Sequence, residues 1–165
     1  MGGCVALAFG QRHAERATGL ALIDTTSWYG EKAEKNWETR GQKALADGMA
    51  ALTEFQQTRW FSDAFRSEQP DAVQDAIDVF VANDVAAYLE TCRMLGRCDM
   101  RSATSTFTFP VEIVVGEEDC ETPVGLATAM ARQIPQAKLE ILESARHFPP
   151  LEVPDRIAAC LKRLA

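Results

Sequence analysis

Two histidines occur in the 165 residues, and they sit in unlike surroundings. His147 lies in the stretch Glu143-Ser144-Ala145-Arg146-His147-Phe148-Pro149-Pro150-Leu151-Glu152, between an apolar run and prolines suited to start a helix. An imidazole titrates near neutral pH, so a histidine in such a loop can accept and return a proton. It can equally be a loop histidine held by a structural hydrogen bond. His13 belongs to the charged turn Gln11-Arg12-His13-Ala14-Glu15-Arg16 and reads as a surface residue. The carboxylate that changes the balance is Asp119. It follows the run Val111 to Val115, as His147 follows Leu139 to Leu142. If both runs are parallel strands, both loops leave at the carboxyl edge of the sheet, where open α/β folds bind ligands. Consecutive parallel strands are usually neighbours, which brings the two loops within reach. A carboxylate beside a histidine fixes its tautomer and stabilises its protonated form. Without that partner, Asp119 in the acidic turn Glu117-Glu118-Asp119 would be an ordinary solvated residue.

The rest of the chain has to position this pair. Met1 to about Gln11 predicts a helix that is apolar almost all round, hence buried on most sides. Leu20-Ala21-Leu22-Ile23 is a short apolar run closed by Asp24-Thr25-Thr26, the pattern of a parallel strand buried on both faces. From Ser27 to Arg101 the spacing of apolar residues turns helical. Pro70 opens a helix carrying Val73, Ile77, Phe80 and Val81. Asn83-Asp84 caps the next helix, which carries Val85, Tyr88, Leu89, Cys92 and Leu95 and is closed by Gly96. This stretch of roughly 75 residues is too long for a loop and reads as a helical insertion between strands. The α/β rhythm then returns, with a strand at Val111 to Val115, a helix from Pro123 to about Ile134, a strand at Leu139 to Leu142 and a last helix from about Val153 to Leu164. The predicted fold class is α/β, parallel strands with flanking helices and an inserted helical cap. Its parts are core at 1–26, cap at 27–103 and core again at 104–165.

A net charge of −7 argues against nucleic acid or an anionic membrane surface as the main partner. No apolar run approaches the roughly 20 residues of a membrane span. Five cysteines without a CxxC pair, and only two histidines, show no zinc-ligand spacing. Reduced cysteines and the lack of a leader pattern point to a cytoplasmic protein.

The two loops carry a resemblance. Gly116-Glu117-Glu118-Asp119-Cys120-Glu121-Thr122-Pro123 followed by Ala145-Arg146-His147-Phe148-Pro149-Pro150-Leu151-Glu152 resembles the acid and histidine loops of α/β-hydrolases, whose triad runs Ser, acid, His along the chain. Gly48 to Leu52, Arg59 to Arg66, Tyr88 to Cys92 and Cys98 to Arg101 are similar to the β-ketoadipate (3-oxoadipate) enol-lactone hydrolases. The resemblance implies that Asp119 and His147 are catalytic acid and base, that Trp60 helps shape the substrate pocket, and that the substrate is a small lactone or ester. It also gives meaning to Met1-Gly2-Gly3, which matches the end of that family's nucleophile elbow, G-x-S-M-G-G. On that alignment the serine and the strands before it fall outside this sequence, and Met1 stands at the oxyanion-hole position.

Three residues could in principle replace the serine. Cys4, one helical turn past the elbow, is expected to point into packing. Cys120 adjoins the acid, and Ser144 is near the base in sequence, but the family pattern places neither for attack. The strand around Leu20 is expected to present an open apolar edge, which invites self-association. Three functions follow as alternatives: an enol-lactone hydrolase, a more general carboxylic esterase, and a non-catalytic fragment that binds or pairs through its edge.

Overall fold

A computed structural model describes residues 1–164. Its centre is a parallel sheet of three strands, β1 (Leu20–Ile23), β2 (Val111–Gly116) and β3 (Lys138–Leu142), in the order β1-β2-β3. Leu22 pairs with Ile113, and Val114 with Glu140. Every residue of the central strand β2 is buried, because it has a strand on either side and helices over both faces. That position accounts for the apolar run Ile113-Val114-Val115 at its heart.

Successive residues of β2 point to opposite faces and feed two cores. On one face Val111, Ile113 and Val115 pack with Leu7 of α1 (Gly2–Arg12), Leu22 of β1, and Ala127 and Met130 of α8 (Val124–Gln133). On the other, Val114 packs with Leu142, Ala145, and Ile157 and Cys160 of α10 (Pro154–Lys162). Glu112 shares that second face, and its buried carboxylate accepts from Arg163 Nε at 2.9 Å.

Between β1 and β2 run α2 (Ala33–Asp47), α3 (Thr53–Trp60), α4 (Asp63–Glu68), α5 (Pro70–Val81), α6 (Val85–Arg97) and the short α7 (Arg101–Thr104). Pro70 begins α5 as its sequence predicts. The cap of α6 is Asp84, whose carboxylate accepts from the Ala87 N–H at 2.8 Å. Asn83 instead turns back onto the carbonyls of Val79 and Phe80. Gly96 does not close α6, which continues to Arg97. A Cβ there would lie 2.9 Å from Glu34 Cα, so this glycine permits close helix packing rather than a turn.

Two burial expectations are corrected. In α1 only Cys4, Leu7 and Gly10 are buried, while Val5 and Phe9, like Met1 just before the helix, are exposed, because the sheet covers a single face of the helix. In β1 only Leu22 is buried, and the other three residues are half-buried, since β1 pairs with β2 on one side and is the sheet's edge. No helix among the described residues is long and apolar enough to cross a membrane.

Candidate active site

The loops after β2 and β3 meet as the strand order predicts. Glu117 N–H donates to Leu142 O at 2.8 Å, and Glu118 N–H to Ala145 O at 2.9 Å. The approach is close enough that a Cβ on Gly116 would run into the carbonyls of Ala145 and Arg146. Across this seam His147 Nδ1 lies 2.9 Å from Asp119 Oδ2. With its proton on Nδ1 the ring donates to Asp119, leaving Nε2 as an acceptor.

Asp119 is buried, and each oxygen is occupied. Oδ1 accepts from the N–H groups of Glu121 at 2.7 Å and Thr122 at 3.1 Å. Oδ2 accepts from the Thr122 hydroxyl at 2.7 Å as well as from His147. Burial alone would raise this carboxyl's pKa, but His147 and the Thr122 donors outweigh it and hold the group below the ordinary carboxylate range.

The histidine loop is also tied to the helical segment. Trp60 O accepts from the N–H groups of His147 and Phe148, both at 3.1 Å. Glu152 of α9 (Pro149–Glu152) accepts from Ser62 N–H at 2.7 Å and Arg146 N–H at 2.8 Å. Arg146 donates to Thr58 O and Phe61 O and pairs with Asp63 and Glu118. None of these ties has a signature in residue type alone, because most of them end on backbone atoms.

His147 and Trp60 line a cleft of about 430 Å³, together with Met1, Arg40, Gln56, Phe80, Tyr88 and Phe148 among others. Trp60 fills the core and lines the cleft at once: its ring meets Phe80 edge-on at 5.0 Å and packs with Val73 and Ile77. Arg40 is the one guanidinium on this wall among the described residues. Its Nε donates to Tyr88 Oη at 2.9 Å, and its Nη1 pairs with Glu121 at 3.5 Å. Gln56 is fully buried, and neither atom of its side-chain amide has a hydrogen-bond partner among the described residues.

No serine or cysteine lines the cleft among the described residues. Cys4 is buried in α1, where Cys98, ahead of the other causes, draws its thiol pKa down. Cys120 is exposed, and so is Ser144, whose backbone is left-handed at φ 57°.

Asp24, at the end of β1, is the site residue that sequence reasoning does not single out. From sequence it reads as a polar stop after an apolar strand. In the structure it is buried with φ 42°, and its Oδ1 accepts from Gly116 N–H at 2.8 Å. Asp24, Asp119 and His147 each place a side-chain oxygen or ring nitrogen within 4.8 Å of the others. Such groups can ligate metals, but burial pushes the Asp24 carboxyl pKa up to about 9, which favours a neutral acid.

A parallel sheet with flanking helices, acid and histidine on consecutive strand ends, and helices inserted between strands is the arrangement of the α/β-hydrolases, and the chain has that fold. An enol-lactonase from Burkholderia xenovorans superposes with a TM-score of 0.93 at 27% identity, over 99% of this chain and 62% of that one. The 3-oxoadipate enol-lactonase 1 of Acinetobacter baylyi is 27% identical over 158 residues, 94% of this chain and 58% of its own length. A pimeloyl-[acyl-carrier protein] methyl ester esterase from Aromatoleum aromaticum is 26% identical over 98% of this chain and 70% of its length. The chain thus spans about three fifths of the length of the enol-lactonases it matches. No family model matches it.

Proposed function

We propose that this chain carries the acid, the base and the substrate cleft of a carboxylic-ester hydrolase acting on a lactone. The observation that supports it most is the Asp119–His147 pair, 2.9 Å apart beside the cleft. In this reading a serine hydroxyl supplied from outside these 165 residues attacks the lactone carbonyl. His147 Nε2 takes the serine proton and returns it to the departing ring oxygen. It then deprotonates the water that attacks the acyl group and passes that proton to the serine oxygen as the acyl bond breaks, while Asp119 stabilises the imidazolium in both halves. By the resemblance of Met1-Gly2-Gly3 to the nucleophile elbow, the backbone N–H of Met1, which lines the cleft, would donate to the oxyanion once it follows a serine. The reading needs neither metal nor organic cofactor.

The finer assignment is an enol-lactone bearing a carboxylate, as the names of the relatives suggest. Arg40 is the cation placed to receive that carboxylate, and the unpaired amide of Gln56 offers donors and an acceptor to a bound oxygen-rich ligand. A general esterase is the second reading, favoured by the methyl ester esterase relatives and the aromatic lining. Arg40→Ala separates them, raising KM for an anionic lactone but not for a neutral ester.

The test begins with the codons upstream of Met1. An in-frame G-x-S run supports the hydrolase, and a stop codon favours the non-catalytic fragment. The 165-residue chain is expected to resist a serine-directed fluorophosphonate, and the extended chain to be labelled and to hydrolyse the lactone. His147→Ala in that extended chain should lose roughly 10³-fold or more of kcat. Stoichiometric labelling of the shorter chain, or activity retained without His147, would overturn the assignment.

A further inference from the structure

We propose that Asp24 is a reserve acid for His147: a neutral positioning residue in the resting protein that becomes the imidazole's carboxylate partner when Asp119 loses its charge. This rests on reading Asp119 and His147 as an acid–base pair. Three observations carry it. Asp24 is 7% exposed, and its Oδ2 accepts from no donor among the described residues, so the polar group it can meet is Asp119, to which a protonated Asp24 donates. Its other oxygen is fixed by Gly116 N–H, at the base of the loop that holds Asp119. An oxygen of Asp24 lies within 4.8 Å of both the Asp119 carboxylate and a ring nitrogen of His147.

Two carboxyl groups this close do not both ionise readily, so one holds a proton while the other is charged. Asp119 has four donors and takes the charge. Asp24 has a single amide donor and keeps the proton, because burial foremost, and then Asp119 and Glu152, oppose its ionisation. Removing the charge of Asp119 removes the larger of those two repulsions. Burial, the leading cause of the raised pKa, still opposes ionisation, and the protonated imidazole within 4.8 Å is the charge that offsets it, with an oxygen of Asp24 able to turn toward the ring.

The test uses the chain as it exists and needs no catalysis. Carboxyl carbon NMR of the wild-type protein should show Asp24 protonated through neutral pH. An ordinary carboxylate midpoint near ~4 would overturn the proposal. Imidazole titration, with only two histidines to assign, provides the second arm. Asp119→Asn/Asp24→Asn should lower the His147 midpoint by about one unit relative to Asp119→Asn alone. Equal midpoints in the two variants would overturn the reserve role. If Asp119→Asn fails to fold, the same comparison of His147 midpoints is made in Asp119→Ser with and without Asp24→Asn. Because neither readout depends on turnover, a protein without hydrolase activity would still confirm or refute Asp24.

Discussion

The groups around the cleft fall into two sets. Asp119, Arg146, His147 and Glu152 are bonded on several sides, to side chains and to backbone from separate segments. Asp24 Oδ2 and the Gln56 amide are also buried but have no partner among the described residues. The first set is held in place before any ligand arrives, as proton transfer requires. The second retains unmet hydrogen-bonding capacity, which costs stability unless a ligand, a proton or water meets it. A fixed hydrogen-bond network and unmet hydrogen-bonding capacity thus share one region of the molecule.

The largest effect should come from breaking the seam on the bonded side. Gly116→Ala forces a methyl group into the carbonyls of Ala145 and Arg146. It should destabilise the fold by about 2–4 kcal/mol in denaturant unfolding. Glu152→Ala strips the acceptor from two backbone N–H groups, those of Ser62 and Arg146. A loss of about 1–3 kcal/mol is expected, with faster amide exchange in the His147 loop.

Substitutions on the unmet side should act in the opposite sense. Asp24 has a folded pKa raised to about 9, above its unfolded value. Between those values the native state holds a proton that the unfolded chain has lost, so the contribution of Asp24 to stability declines as pH rises. The wild-type Tm should therefore fall between roughly pH 5 and pH 8 by more than that of Asp24→Asn. Asp119, held below the ordinary carboxylate range, is already ionised across that window and adds no slope. The smallest effect is expected for Gln56→Met, which fills a similar volume without the amide. It should gain about 1 kcal/mol in stability while weakening lactone binding in the extended chain. A loss of stability would mean the amide is satisfied in solution.

The three strands are legible as apolar runs, and the meeting of Asp119 with His147 follows from strand order and loop position. Both features rest on periodicity and topology, which a sequence displays directly. Asp24 is not legible, because a carboxylate closing a strand is ordinarily solvated, and nothing in its neighbours announces burial. Glu152 and Arg146 escape for another reason. Many of their partners are amides and carbonyls, which nearly every residue possesses, so no residue type marks the bond. The burial of α1 on most sides is overpredicted because composition records how apolar a helix is but not how many neighbours it has.

The carbonyl of Trp60 receives two successive amides from the histidine loop, while the indole of the same residue forms part of the cleft wall. A shift of the Trp60 backbone would therefore reach the cleft wall and the His147 loop together, whereas a turn of the indole alone would reshape the wall and leave the loop where it is.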